Sequence, residues 1–263
     1  MTATLLALLV AAPARACSPA PTPATVRAAR FTPGEQLRYR LDVLGADVGT
    51  FEVSVEAPQS ADRARAALVA RSRAKTSAFV STNLGRYEGF ISTLLGPDLM
   101  PLRFREELDE GDRHMSVDVD FPPGADGSLP VRGSTNGNAE PFALPAGSDV
   151  REIISTLYLL RAQQMKPGSP VCVEVFAGRK IWKVSGQMAA RETIETPLGK
   201  FATLRVDAEA VRTDDLRVKR AAHVWVSDDD KRLPLVAVGE VRGKVIRAQL
   251  VSTSGGRVAQ RRR

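Results

Sequence analysis

The chain has 263 residues, with 37 Lys+Arg against 30 Asp+Glu for a formal net charge of +7, and is 43% hydrophobic but only 5% aromatic. That length can bury a sizeable core in one large domain or two small ones, and the ordinary composition excludes collagen, a coiled coil, wholesale disorder and a disulfide-rich miniprotein. Two Cys and two His exclude a four-thiolate zinc centre and a His-rich metal site.

Leu5 to Ala12 form a short apolar run, followed by Pro13 and the small-residue pattern Ala14-Arg15-Ala16. This is the apolar core and cleavage site of a secretory signal peptide over residues 1–16, although only the amino terminus of Met1 supplies its basic region. The run is too short to span a bilayer. Residues 17–30, rich in Pro, Ala and Thr from Ser18 to Thr25, read as a flexible tether. Export is expected, to the periplasm or to the outer membrane as a lipoprotein. Cys17 stands directly after the small residue Ala16, where a bacterial lipoprotein carries its lipid anchor. An oxidising periplasm equally permits a Cys17–Cys172 disulfide, and two unpaired thiols are the third reading. No later stretch approaches ~18 apolar residues, so no helix is expected to span a membrane.

From residue 31 onward the dominant period is two. Leu37, Tyr39, Leu41 and Val43 alternate with Arg38, Arg40 and Asp42, and Phe51, Val53 and Val55 repeat the pattern. Arg71, Arg73 and Lys75 alternate with Ser72 and Ala74. Arg103–Leu108 and Arg113–Phe121 flank the hairpin signal Asp109-Glu110-Gly111-Asp112, which would set Arg103 opposite Asp118. The helical period 3.6 enters at Ser148: Val150, Ile153, Ile154, Leu157, Leu160 and Ala162 form one face, with Ser148 as N-cap and Pro167-Gly168 as stop. Strands resume over Val171–Phe176, Lys180–Ser185, Arg191–Glu195, Phe201–Val211, Val218–Ser227, Leu235–Val241 and Lys244–Ser252. The expected fold is mainly β: an antiparallel meander forming a strongly curved sheet or incomplete barrel, with one central crossing helix. A single domain over 31–254 is preferred to two small β domains joined by the helix.

No nucleophile elbow, phosphate loop, GxGxxG, HExxH or CxxC occurs, so no catalytic residue, metal ligand or cofactor is assigned. Asp228-Asp229-Asp230 reads as a solvated hairpin turn. His114 and His223 have no partner placed by sequence, and the acid pairs Glu106/Glu107 and Asp118/Asp120 read as solvated strand faces. The aromatic residues Tyr158, Trp182, Phe201 and Trp225 lie on elements expected to face inward. There they are candidates to line a cavity for an apolar small molecule or lipid, against the simpler reading that they are core.

Several segments, taken in order, resemble an exported bacterial family catalogued as domain of unknown function 3108. They are Phe31-Thr32-Pro33-Gly34-Glu35-Gln36-Leu37-Arg38-Tyr39 with Val48-Gly49, then Asp149 with Ser155-Thr156-Leu157-Tyr158-Leu159-Leu160-Arg161 and Gly168. Glu192 with Glu195-Thr196-Pro197-Leu198-Gly199-Lys200-Phe201 follows, and then Val224-Trp225-Val226-Ser227-Asp228 with Arg232-Leu233-Pro234. The resemblance implies a β-rich periplasmic domain without an established activity, and carries no catalytic residues over. Three functions fit such a chain: an envelope protein holding a lipid or apolar group in a half-barrel, an envelope assembly factor binding a protein partner by a sheet edge, and a hydrolase of envelope glycans or esters. Nucleic acid is not an expected partner. Seven of the 37 basic residues lie in 1–30 and 255–263, where no acid lies, so the body 31–254 is formally neutral and the tail 255–263 is a short basic disordered segment.

Overall fold

The computed structural model describes residues 28–122, 124, 126–241 and 243–255. The signal peptide, the tether up to residue 27, Cys17 with its lipidation, and the tail beyond Gly255 lie outside the described residues. Cys172 is not a free thiol.

Alternating burial builds the strands. On β1 (Gln36–Val43), Leu37 and Tyr39 are buried while Gln36 and Arg38 are exposed. β2 (Ala46–Glu56) and β3 (Leu68–Thr76) follow, then a six-residue helix α1 (Ala78–Asn83), β4 (Tyr87–Leu95), β5 (Pro101–Glu110), β6 (Arg113–Asp120) and β7 (Ser128–Thr135). Three short strands, β8 (Asn138–Ala139), β9 (Phe142–Pro145) and β10 (Arg151–Glu152), lead into helix α2 (Ile153–Ala162). The second β-rich half comprises β11 (Pro170–Ala177), β12 (Lys180–Thr196), β13 (Gly199–Arg212), β14 (Asp215–Ser227), β15 (Pro234–Val241) and β16 (Lys244–Ser254).

β16 pairs with β1, which joins both halves into one sixteen-stranded sheet. Its order is β10-β11-β12-β13-β14-β15-β16-β1-β2-β3-β4-β5-β6-β7-β8, with β9 beside β7, and every pairing is antiparallel except β10 with β11. The sheet is not closed by hydrogen bonds, so the meander is an incomplete barrel. Side chains fill its concavity. Ile154, Tyr158, Leu159 and Ala162 of α2 pack against Leu37, Tyr39, Val53, Ala70, Leu95 and Leu250. The β11–β12 hairpin adds a second contact, with Phe176 and Ile181 against Phe104, Val119 and Val131 of β5 to β7.

The structure corrects three local expectations. Helix α2 starts at Ile153, not at Ser148, because Arg151 and Glu152 are drawn into a parallel pairing with β11. Arg151 is buried and donates to the Leu99 carbonyl at 2.7 Å. Glu152 takes the N-cap role, its carboxylate accepting from the backbone of Ile154 at 2.7 Å and Ser155 at 2.5 Å. Arg103 stands opposite Asp120, because the two-residue turn Gly111-Asp112 pairs Glu110 with Arg113. The ion pair with Asp118 forms on the diagonal at 2.9 Å instead. Finally, Lys180–Ser185 and Arg191–Glu195 are one strand, β12, carrying a bulge between Met188 and Ala190.

Candidate functional site

The four aromatic residues singled out in the sequence do not meet. Tyr158, on α2, is fully buried with its ring edge-on to Phe31 at 4.8 Å. Trp182, at the start of β12, is buried, donates to the Ala177 carbonyl at 3.2 Å and lies under the Arg220 guanidinium at 4.7 Å. Phe201 packs with its cross-strand neighbour Ile194 against the α2 cluster. Trp225 lies between Val224 and Val226, whose side chains pack with Met188 and Leu204, so its own side chain points to the opposite face of β14. None of the four lines either of the two principal concavities.

The larger concavity, about 870 Å³, lies on the face of β1 to β5 that is turned away from α2. Alternation places Arg38, Glu52, Ser54, Arg71, Arg73, Ser92, Arg103 and Arg105 on this face, opposite the buried Leu37, Val53, Ala70 and Phe104. The β2–β3 connection walls one end through Gln59, Asp62 and Arg65. The floor therefore runs in rows, with acids and a serine on β2, arginines on β3, Phe90 and Ser92 on β4, and arginines again on β5. Cross-strand ion pairs hold these rows in place: Arg38–Glu52 at 2.9 Å, Arg71–Glu56 at 3.0 Å and Arg103–Asp118 at 2.9 Å. Arg73 reaches Glu88 and stacks over the Phe90 ring at 4.9 Å. Hydrogen bonds from Arg86 and Arg73 hold the Glu88 carboxyl below the usual carboxylate range. Partial burial works against ionisation of Asp118, but Arg103 and Arg132 outweigh it and hold that carboxyl low as well. Glu88 and Asp118 are thus fixed as anions and are poor proton donors. Among the lining residues are six arginines against the four acids Glu52, Glu56, Asp62 and Glu107. With Glu88, held by Arg73, and Asp118, held by Arg103 and Arg105, the charges balance, so the groove presents ion-paired guanidinium donors.

The smaller concavity, about 320 Å³, opens beside the end of α2 and is lined by Phe31, Glu35, Leu37, Arg161 and Leu233 among others. Arg161 and Glu35 form a bidentate pair at 2.6 and 2.8 Å, and the Tyr158 hydroxyl donates to the same carboxylate at 3.2 Å. The guanidinium lies over the rings of Phe31 and Tyr158, at 4.8 and 5.0 Å. Burial disfavours the charged form of Arg161, yet Glu35 more than compensates and its pKa is held above the ordinary value. Burial also pushes the phenols of Tyr39 and Tyr158 up. This is a brace between α2 and the start of β1, without a nucleophile or proton donor suited to neutral pH.

A third polar group runs over the outer face of β12 to β14. The Trp225 indole donates to Glu192 at 2.6 Å, and Arg205 bridges Glu192 at 3.3 Å and Asp207 at 3.0 Å. Asp207 in turn pairs with Nδ1 of His223 at 2.7 Å. The histidine that sequence left without a partner thus has a carboxylate, but it stands on an open, partly exposed sheet face. His114 pairs likewise with Asp109 at 2.8 Å on the β5–β6 hairpin. At the β14–β15 turn Asp228 binds Arg191 and Arg232, at 2.8 and 3.0 Å, and Asp229 accepts from the backbone of Lys231 and Arg232. Two of the three successive aspartates, Asp228 and Asp229, therefore tie the turn together. The arginine rows were the feature missed in the sequence. Arg71-x-Arg73 and Arg103-x-Arg105 each mark one strand face, but only the pairing of β3 to β5 shows that they are the same face.

A family model for a protein of unknown function (DUF3108) matches residues 38–245. No curated protein sequence matches the chain. Among solved structures it is similar to a β-barrel-like protein of domain of unknown function DUF1849 from Brucella abortus, with TM-score 0.55 and 11% identity over 84% of this chain and 96% of that one. It is also similar to a protein from Bacteroides fragilis described as exported, with a YmcC-like fold, at TM-score 0.37 and 11% identity over 85% of this chain and 97% of that one. A third is a protein from Parabacteroides distasonis described as a lipoprotein, at TM-score 0.31 and 7% identity over 85% of this chain and 96% of that one. The Brucella likeness speaks for the barrel-like fold. The family match runs from β1 to β16, through the Arg161, Glu192 and Trp225 segments that carry the sequence resemblance and the last two residues, Arg38 and Tyr39, of the first, and the chain belongs to the DUF3108 family.

Proposed function

We propose that this chain is a non-catalytic binding protein of the cell envelope, and that its ligand is an anionic glycan lying along the arginine rows of β1 to β5. The observation that carries this reading is the groove itself. It offers guanidinium donors held by ion pairs and serine hydroxyls in adjacent rows, and one ring, Phe90, for a sugar face. The signal-peptide pattern of residues 1–16 supports the envelope as the compartment. The interior supports an apolar cargo less well, because α2 and its partners occupy it.

Calorimetry with dextran sulfate and with unmodified dextran tests the proposal. The wild-type protein should bind the sulfated polymer, weakly at high salt, and not the neutral one. The triple variant Arg71→Ser, Arg73→Ser, Arg105→Ser should lose about ten-fold or more in affinity, as removal of three charge-assisted contacts implies. Equal binding by the variant would refute the assignment. Binding of polyglutamate but not dextran sulfate would transfer the groove to a protein partner. A stoichiometric acyl lipid extracted from the purified protein would replace this reading with the apolar-cargo one.

A further inference from the structure

Large hydrophobic side chains gather at one end of the barrel without a partner. Of the eight exposed ones among the described residues, five belong to turns or strand ends at the same end: Leu44 (100% exposed), Phe79 (71%), Leu84 (80%), Leu216 (69%) and Val245 (58%). Antiparallel pairing puts them together. The β1–β2 turn, α1 in the β3–β4 connection, the start of β14 and the start of β16 all lie at this end, on strands that are consecutive from β14 to β4. Six strand spacings make this a rim of roughly 29 Å.

Nothing in the fold rewards these residues. Leu44 is wholly exposed and has φ 52°, a left-handed conformation in which Asn or Gly would be easier. Helix α1 contributes no buried residue at all, so its hydrophobic side chains do not hold it against the sheet. The rim is nonetheless firmly built. Ser77 caps α1 by accepting from Val80 at 3.3 Å, and its N–H donates to the Val48 carbonyl at 2.9 Å. Asp42 accepts from the Gly45 N–H at 3.0 Å and from Arg247 at 2.8 Å, which fastens the β1–β2 turn to β16.

We infer that this rim is a membrane-docking edge, seating single apolar side chains in the interface of a bilayer with anionic lipids. Two features select a bilayer over a protein. The side chains project singly from separate connections on a long edge, and neither principal concavity reaches Leu44, Phe79, Leu84, Leu216 or Val245 to receive a complementary chain. They also stand beside cations: segments 44–47, 75–86, 213–219 and 243–247 carry six Lys or Arg against three Asp. Arg86, Arg217, Lys219 and Arg247 are ion-paired with Glu88, Asp215, Glu209 and Asp42, while Lys75 and Lys244 have no ion pair among the described residues. Apolar tips flanked by long basic side chains suit the interfacial layer, where the tips leave water and the cations meet headgroups. This edge is separate from the arginine groove and does not depend on what the groove binds.

Vesicle co-sedimentation tests it, using chain shown by intact mass to carry no acyl group. Wild type should sediment with vesicles of phosphatidylcholine and phosphatidylglycerol, less so at high salt or without the anionic lipid. The variant Leu44→Asn, Phe79→Ser, Leu84→Ser should bind at least about ten-fold more weakly, since hydrophobic insertion and charge act together. These side chains are exposed, so its thermal unfolding should match wild type. Phe79→Trp gives a local readout: its added emission should shift to shorter wavelength on vesicle binding. Equal sedimentation of wild type and the triple variant, or no shift from Phe79→Trp, would overturn the inference. So would sedimentation velocity showing a dimer that the triple variant abolishes, because a second copy would then cover the rim.

Discussion

Replacing Glu35 by Leu should be among the most damaging single changes in the chain. The side chain of Arg161 is only 2% exposed and that of Glu35 14%, and their two hydrogen bonds at 2.6 and 2.8 Å are the main partners of the guanidinium. Without Glu35, what remains to it is the Lys231 carbonyl at 3.4 Å and the faces of Phe31 and Tyr158, while its Nε already has no hydrogen-bond partner. An uncompensated buried cation of this kind costs about 3–5 kcal/mol, a large part of the stability of an ordinary domain. Arg161→Met should cost less, about 2–3 kcal/mol, because the carboxylate left behind is nearer water. The double variant Glu35→Leu, Arg161→Met removes both charges and should recover to within about 1–2 kcal/mol of wild type. Urea unfolding followed by far-UV circular dichroism measures all four corners of the cycle. If Glu35→Leu loses less than about 1 kcal/mol, or if the double variant is as unstable as the sum of the singles, the pair is not the brace that holds α2 to β1.

Three further outcomes follow from buried or paired carboxylates. Glu106 faces inward on β5 between Ile91 and Val117, and burial raises its carboxyl pKa. A raised folded-state value means that stability is withheld as pH rises through it, so Glu106→Leu should gain about 1 kcal/mol at pH 8 and nothing in acid, as chemical denaturation at the two pH values would show. Asp118 has the opposite sign: its carboxyl is held low, so the stability it contributes is present at neutral pH and fades as pH falls below the usual carboxylate value. Asp118→Asn should cost about 1 kcal/mol at pH 7 in urea melts, with the difference shrinking on acidification. At the N-cap of α2, Glu152→Ala should cost about 2 kcal/mol by leaving two buried N–H groups unpaired. Glu152→Gln, which retains an acceptor and the neutral form that burial favours, should melt close to wild type.

The strands were legible because their chemistry is local. A period of two over Leu37 and Tyr39, Val53 and Val55, or Val117 and Val119, records one face in water and one in the core. Whatever depends on pairing was not legible. The register at Gly111-Asp112 differs by one residue on each strand from a turn centred on Asp109–Asp112, and that moves Arg103 from Asp118 to Asp120. The first turn of the expected helix was lost because a long-range demand, the pairing of Arg151 and Glu152 with Val175 and Phe176, overrode a good local N-cap at Ser148. Inward placement of aromatics failed for Trp225 for a related reason. Its alternation with Val224 and Val226 shows two faces, but not which of them is the core. The arginine groove is the extreme case, since its rows come from five strands and exist only once those strands are paired.

The segments that make the chain recognisable also behave differently from the groove. Residues from separate matched stretches find one another: Glu35 with Arg161 and Tyr158, Glu192 with Trp225, and Asp228 with Arg232 within the last stretch. Each pair ties together parts of the chain that hydrogen-bonded strands alone would leave free, namely α2 to β1, β12 to β14 across β13, and the β14–β15 turn to itself. Such contacts explain a shared order and spacing without requiring a shared reaction. Arg71, Arg73, Phe90, Arg103 and Arg105 lie outside all of those stretches and touch none of the braces. Arg71, Arg73 and Arg105 are exposed and Arg103 is half-buried, and all four pair with neighbouring carboxylates, so they can change with little effect on folding, because surface ion pairs contribute about 0–1 kcal/mol each. The residues that pack the fold and those of the proposed binding groove thus sit on opposite faces of the same strands, and the groove face can change while the inner face that packs on α2 stays as it is.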